Sequence, residues 1–172
     1  MSAETLSRSM LPDVPGLDYS RENLAKLELY ARSLLKWNKA LNLTAAYDFN
    51  RLFPELIFDS LYLARFLRDL APDFSGVAWD LGAGAGLPGI PLRIFWQKGE
   101  YKLIEAREKR FLFMRGVLSS LSLPRTEALR GRAEALIAAA PSPPDLALSR
   151  AFMPWPALLD FCSPWLNRKS VV

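Results

Sequence analysis

The chain has 172 residues, 22 Lys+Arg against 18 Asp+Glu, no His, one Cys, and 51% hydrophobic and 12% aromatic content. That length suits one domain burying roughly 70% of its unfolded surface, and so apolar a chain, with only 23% charged residues, is not intrinsically disordered. One Cys excludes a disulfide framework, and the lack of His excludes Ser-His hydrolases, His-based acid–base chemistry and His-ligated zinc, so no metal is expected. No basic-then-apolar leader opens the chain and no apolar run reaches about 18 residues, which predicts a soluble, cytoplasmic protein with no membrane partner.

The net charge of +4 is uneven: residues 21–39 carry +3, 48–80 carry −3 and 93–130 carry +5. The basic middle runs from Arg93 through Lys109, Arg110 and Arg115 to Arg130. It suits a polyanionic partner, and equally a solvated helix face.

Residues 1–19 read as irregular, broken by Pro12, Pro15 and Gly16. Ser20 is an N-cap for a helix to about Lys39, in which Leu24, Leu27, Ala31 and Leu34 recur at helical spacing. A turn region follows, and Pro54 suits the first position of a second helix to about Asp69. That helix is apolar on nearly every side and is expected to be buried. From residue 77 the texture alternates. Strands are expected at 77–81, 101–105, 126–130 and 145–149, with helices at about 88–97, 108–121, 133–139 and 154–166. This alternation predicts an α/β fold with a parallel sheet and helices on both faces. An N-terminal helical extension (1–72) precedes a single compact core (73–172) in this reading.

The most informative residues are Asp80, Gly82, Gly84, Gly86 and Gly89 in DLGAGAGLPG. A strand feeding a glycine-rich turn exposes backbone N–H groups and lets a ligand lie against the main chain. Gly84-x-Gly86-x-x-Gly89 matches the dinucleotide pattern. It starts late, however, and the D-x-G-x-G-x-G form resembles the first motif of S-adenosylmethionine methyltransferases, in which the loop packs the methionine part of the cofactor and an acidic side chain, here Asp80, can meet its ammonium. Glu105 ends the next strand and can accept both hydroxyls of an adenosine ribose, which serves either cofactor. Arg107, Lys109, Arg110 and Arg115 are candidate contacts for the phosphates of a polyanion, because basic residues at a helix start oppose its dipole unless an anion is present, and they equally suit a solvated surface.

Several segments together resemble the bacterial small-subunit (16S) ribosomal RNA guanine-N7 methyltransferases, the glucose-inhibited division protein B family. They are KWNKALNLTA (36–45), LIFDSL (56–61), DLGAGAGLPGIPL (80–92), LIEAREKRFLFMR (103–115), GRAEAL (131–136) and LSRAF (148–152). The resemblance implies a Rossmann-like methyltransferase fold, S-adenosylmethionine as cofactor, and ribosomal RNA or the small ribosomal subunit as partner. It places Gly82 and Leu87 at the cofactor's methionine end, Glu105 at the ribose and Ala133-Glu134 at the adenine. Arg150 would sit beside cofactor and target base, and Asn42 at the site's edge.

N7 of guanine is already a nucleophile, so this chemistry needs no strong base and tolerates the absence of His; orientation would supply most of the acceleration. Two departures bear on the expectation. Glu55 and Leu56 stand where the family usually has Arg-His. The chain also ends at LNRKSVV, where family members continue with further strands. The sheet is therefore expected to have about four strands, ordered 3-2-1-4, leaving 145–149 as an uncovered edge. Such an edge predicts self-association, or covering by a terminal segment. The alternative readings are a catalytically lapsed S-adenosylmethionine- or RNA-binding module and, third, an NAD-dependent oxidoreductase.

Overall fold

Hydrophobic spacing makes the first third of the chain helical. The computed structural model describes residues 5–165. Helix α1 (Arg21–Leu41) starts where the Ser20 side chain accepts from the Asn23 N–H, and buries Leu27, Tyr30, Ala31 and Leu34 on one face. It ends two residues beyond the expected Lys39, at Leu41, and is capped by Asn42, which adopts the left-handed conformation with φ 48°. The turn that follows is organised by Asn38. Its buried amide donates to the carbonyls of Thr44 and Ala46, each at 2.9 Å, and accepts from the Thr44 N–H.

The second helical stretch starts earlier than Pro54. It comprises α2 (Phe49–Leu52), a π-helical segment at Phe53–Ile57, and α3 (Phe58–Leu70). Asp48 caps it by accepting from the Arg51 N–H at 2.9 Å. Pro54 contributes no N–H, and the wider turn, closed by the Phe58 N–H on the Phe53 carbonyl, carries the helix past it. The expectation of burial on nearly every side is corrected too. Leu61, Ala64 and Leu67 are buried, but Tyr62, Phe66 and Leu70 are 54%, 56% and 47% exposed. Only one face of α3 meets the core.

Four parallel strands follow: β1 (Val77–Leu81), β2 (Glu100–Glu105), β3 (Thr126–Arg130) and β4 (Leu146–Ser149), in the order β3-β2-β1-β4. Helices α4 (Gly89–Phe95), α5 (Glu108–Leu121) and α6 (Ala133–Ala139) connect them, and α7 (Trp155–Cys162) follows β4. The pleat divides the core in two. Ala78, Tyr101, Leu103 and Leu146 face α1, α3, α4 and α5 in one continuous cluster. Trp79, Leu81, Ile104 and Ala147 face α6 and α7. Asp145, expected to open β4, instead accepts the Val77 N–H on its carboxylate at 2.9 Å.

Among the described residues no strand pairs with the outer edge of β4. The LNRKSVV segment and the expected last residue of α7, Leu166, lie outside the described residues.

Arg93 corrects the reading of the basic middle as one external surface. It is fully buried. It donates to the carbonyls of Trp96 (2.9 Å), Lys98 (2.6 Å), Gly99 (3.4 Å) and Pro124 (3.0 Å) and to the Thr126 hydroxyl (3.0 Å). Burial pushes its pKa down to about 10, which leaves it charged at neutral pH. The charge therefore holds together the loops at the amino ends of β2 and β3. No helix of the described residues is long and apolar enough to cross a membrane. Among them, no group of three or more Cys, Asp or Glu is arranged to hold a metal ion.

The order reverses direction at β1, with β2 and β3 on one side and β4 on the other. The carboxyl ends of β1 and β4 therefore flank a topological switch point, where open α/β sheets bind ligands.

Candidate functional site

β1 runs directly into the glycine loop at that switch point. Gly82, Gly84 and Gly86 have φ of 69°, 59° and 81°, a region that L side chains avoid. Gly82 also has no room for a side chain, since a Cβ there would lie 2.5 Å from the Phe152 ring. Gly89 has ordinary backbone angles, yet its Cβ would strike the Asp80 carboxylate and come within 2.8 Å of Leu103. The loop is held from several elements. The Ala83 N–H donates to the Ile104 carbonyl at 2.9 Å, and the buried Tyr30 hydroxyl of α1 donates to the Ala85 carbonyl at 3.1 Å.

A cleft of about 350 Å³ opens beside this loop, lined by Gly82, Glu105, Arg107, Arg110, Ala133 and Glu134, with Phe152 on one wall. Glu105 is the buried hinge of the arrangement. One carboxylate oxygen accepts the Gly84 N–H at 3.0 Å and the other the Arg107 N–H at 2.7 Å. An ionised carboxylate has about four acceptor positions, so each oxygen keeps one for a hydroxyl in the cleft. Ile104, Ala106, Ala133 and Phe152 add apolar surface for a planar ring. These acceptors and surfaces fit an adenosine-bearing cofactor: acceptors for a diol, flat apolar walls for a base, and bare backbone at Gly82.

The cleft thus brings together Gly82, Glu105, Ala133 and Glu134 from the expected cofactor set. Gly84 and Gly86 shape the loop behind it. Leu87 packs in the core under the loop. Arg150 does not line the cleft, and its guanidinium donates to the Leu56 carbonyl of the π-helical segment at 3.2 Å. Asn42 is exposed at the end of α1 and does not line the cleft either. The expected RNA contacts divide. Arg107 and Arg110 line the cleft, with an Arg110 nitrogen 3.5 Å from where a Gly84 Cβ would stand. Lys109 and Arg115 are exposed on α5. Arg132 and Phe152, also lining the cleft, were within quoted motifs, but nothing in their spacing pointed them inward.

Asp80, expected at the cofactor's methionine end, does not line the cleft and lies on the other side of the loop. It is fully buried, receives the Tyr101 hydroxyl at 3.4 Å on one oxygen, and has no hydrogen-bond partner for Oδ1 among the described residues. Burial raises its pKa to about 7 against the opposing pull of Tyr101, the Gly89 N–H and the Arg150 charge. The folded-state value exceeds the unfolded one, so this group's stabilisation is complete below about pH 4 and lost as the pH rises through about 7. Wild-type stability is accordingly expected to fall across that window by roughly 1.4 kcal/mol per pH unit at its steepest. Asp80→Asn should flatten the fall, as followed by urea unfolding at pH 4.5, 6 and 7.5. Parallel profiles for the two proteins would remove the assignment.

A family model described as rRNA small subunit methyltransferase G matches residues 23–172. The chain is 49% identical over 148 residues to the ribosomal RNA small subunit methyltransferase G of Nitratidesulfovibrio vulgaris, covering 86% of this chain and 67% of that protein. It is 41% identical over 158 residues to the protein of that name from Lawsonia intracellularis, covering 91% of this chain and 73% of the relative. The chain thus spans about two thirds to three quarters of these relatives' length. In fold it is similar to a precorrin-6y C5,15-methyltransferase from Geobacter metallireducens, with a TM-score of 0.52 and 17% identity over 68% of this chain and 62% of that one. A coclaurine N-methyltransferase bound to S-adenosylhomocysteine has a TM-score of 0.52 at 14% identity over 90% of this chain and 51% of that one. With the glycine loop, its acidic partner and the quoted segments all inside the matched region, the chain belongs to the rRNA small subunit methyltransferase G family.

Proposed function

We propose that this protein transfers a methyl group from S-adenosylmethionine to N7 of a guanine in small-subunit ribosomal RNA, in the cytoplasm. The observation that carries the reading is the pairing of the glycine loop, which presents Gly82 without a β-carbon to the cleft, with the Glu105 carboxylate that holds the Gly84 N–H. When bound there, S-adenosylmethionine supplies a sulfonium methyl electrophilic enough for a ring nitrogen lone pair to take without prior loss of a proton. The chain's own task is orientation. Glu105 would accept the ribose hydroxyls, Ala133 and Glu134 would flank the adenine, and the backbone at Gly82 would receive the methionine end. Lys109 and Arg115, outside the cleft, would meet phosphates, and so would the outer face of Arg107.

Calorimetric titration with S-adenosylmethionine and S-adenosylhomocysteine, with NAD as control, tests the cofactor. Methyl transfer to undermodified ribosomal RNA then tests the reaction. Binding of the first two alone, followed by transfer, supports the reading; NAD binding alone removes it, and cofactor binding without transfer leaves a lapsed binding module. Lys109→Ala/Arg115→Ala should lower RNA affinity and reduce the log–log salt slope by about 2, while sparing cofactor affinity. Arg110→Ala, because that side chain lies in the cleft, should move cofactor affinity as well.

Among the described residues the outer edge of β4 has no partner strand, and a contact there with a second copy of the chain belongs to the same proposal. At the amino end of β4 an apolar recess of about 420 Å³ is lined by Leu67, Leu70, Phe74 and Leu146. Sedimentation velocity should show concentration-dependent association; a monomer at every concentration would leave the edge without this role.

A further inference from the structure

Helix α1 extends past the carboxyl end of the sheet, and two contacts fix its course. Tyr19, just ahead of α1, packs its ring on Phe95 at the far end of α4, with centroids 5.6 Å apart. The Tyr30 hydroxyl reaches Ala85, in the glycine loop that precedes α4, at 3.1 Å. The helix therefore climbs from the amino side of the sheet to the loop. Residues 31–41 then add about 16 Å of helix beyond Tyr30, at roughly 1.5 Å per residue. We propose that this overhanging end of α1, with the start of α5, is a shelf that binds an unpaired stretch of the substrate RNA, one base stacking on Trp37. The inference rests on the methyl-transfer reading and assigns its RNA a contact surface beside the cleft.

Three observations carry it. The first is the direction of Trp37. Seven residues make two helical turns, so Trp37 stands on the same stripe of α1 as Tyr30, about 10 Å farther along the axis, on the side of the glycine loop. It is 49% exposed, and among the described residues it has no hydrogen bond and no ring or cation against it. A second aromatic, Tyr47, is 60% exposed in the turn that Asn38 organises at the same end. The second observation is charge. Residues 29–47 hold Arg32, Lys36 and Lys39 and no acidic residue. Lys36 and Lys39 are exposed, with no carboxylate within ion-pair distance among the described residues. Helix α5 packs on α1, and Lys109 lies one turn before Phe113, which is buried in the cluster the two helices share. Its charge therefore rises at the same end. Single-stranded RNA is held by aromatic faces for its unstacked bases and cations for its phosphates. A double helix would offer Trp37 no open base. The third observation is place. Helix α1 lies on α4 and α5, the crossovers of β1 to β2 and β2 to β3, whereas α7, where the described residues end, packs on the opposite face of the sheet. The shelf adjoins the glycine loop and is independent of the outer edge of β4.

The test measures binding of a fluorescein-labelled adenosine oligomer of about 12 nucleotides, and of an RNA duplex of the same length, to the full chain with S-adenosylhomocysteine present. Trp37→Ala should weaken oligomer binding on the order of 10- to 100-fold, the loss of one stacked base, and leave the log–log salt slope as it is. Trp37→Phe should recover the affinity to within about 3-fold, since it keeps an aromatic face. Lys36→Ala/Lys39→Ala should instead reduce the salt slope by about 1 to 1.5. In Trp37→Ala the affinities for the duplex and for S-adenosylhomocysteine should stay at the wild-type values, and kcat/KM on undermodified ribosomal RNA should fall with the oligomer affinity. Oligomer affinity unchanged in Trp37→Ala, or an equal loss on the duplex, would overturn the assignment. So would a dimer that dissociates in Trp37→Ala, which would give this face to a second copy. Trp37-dependent oligomer binding by a protein that transfers no methyl group would keep the shelf and remove the methyl-transfer reading. Transfer unaffected by Trp37→Ala would keep that reading and remove the shelf.

Discussion

Glu105→Ala is expected to weaken S-adenosylmethionine binding by about 10- to 100-fold. Two losses combine. A charged acceptor facing the ribose is removed, worth about 1.5–3 kcal/mol. The Gly84 and Arg107 N–H groups, bonded to that carboxylate at 3.0 and 2.7 Å, are also released, so the loop loses its tie to β2. Calorimetry measures the first effect and amide exchange over residues 82–86 the second. Glu105→Gln, which keeps one oxygen acceptor, should fall between wild type and Ala in both. Unchanged affinity with unchanged exchange in Glu105→Ala would separate Glu105 from the cofactor and from the loop.

Arg93→Met should cost about 3–5 kcal/mol of stability, because it keeps the volume and removes the donors to four carbonyls and the Thr126 hydroxyl. Carbonyls left buried without a donor account for most of that cost. For a chain of this size the melting temperature should drop on the order of 10 °C, followed by thermal unfolding at neutral pH. Arg93→Lys should recover little, since one ammonium cannot reach acceptors spread over two loops. A loss below about 1 kcal/mol in Arg93→Met would show that water replaces the guanidinium at those carbonyls. The cofactor affinity of the folded fraction should be unchanged, because Arg93 joins the amino ends of the strands, away from the cleft.

The strand–helix alternation from residue 77 onward was legible because it rests on short-range rules. Strands of four to six residues bounded by Gly, Pro and charged residues left little choice of element, and β3, α5 and α6 fall on the residues expected. The glycine loop was legible for a related reason, since each glycine answers a local demand, either a positive φ or the absence of space for Cβ. Errors arose where a local signal met a competing long-range or non-standard one. Pro54 read as a helix start, but the Asp48 cap and a π-turn place the start at Phe49. Apolar residues all around α3 read as a buried helix, but α3 packs on one side only.

Three arginines show where sequence information ends. In one dimension Arg93, Arg110 and Arg150 are alike, three charges near or within a basic stretch. In the fold Arg93 is enclosed by carbonyls, Arg110 leans over Gly84 in the cleft, and Arg150 reaches back to a carbonyl of the π-helical segment. A guanidinium takes its role from the acceptors within reach of a long side chain, and those acceptors come from segments far apart in the chain. Composition, periodicity and motif spacing determined the element types, the parallel sheet and the glycine loop with its acidic partner, because each depends on residues close in sequence. Only the tertiary structure decided that Asp80 lies buried behind the loop and that Arg107 and Arg110 enter the cleft. Those placements depend on which strands become neighbours at the switch point, and strand order brings together residues that no local pattern connects.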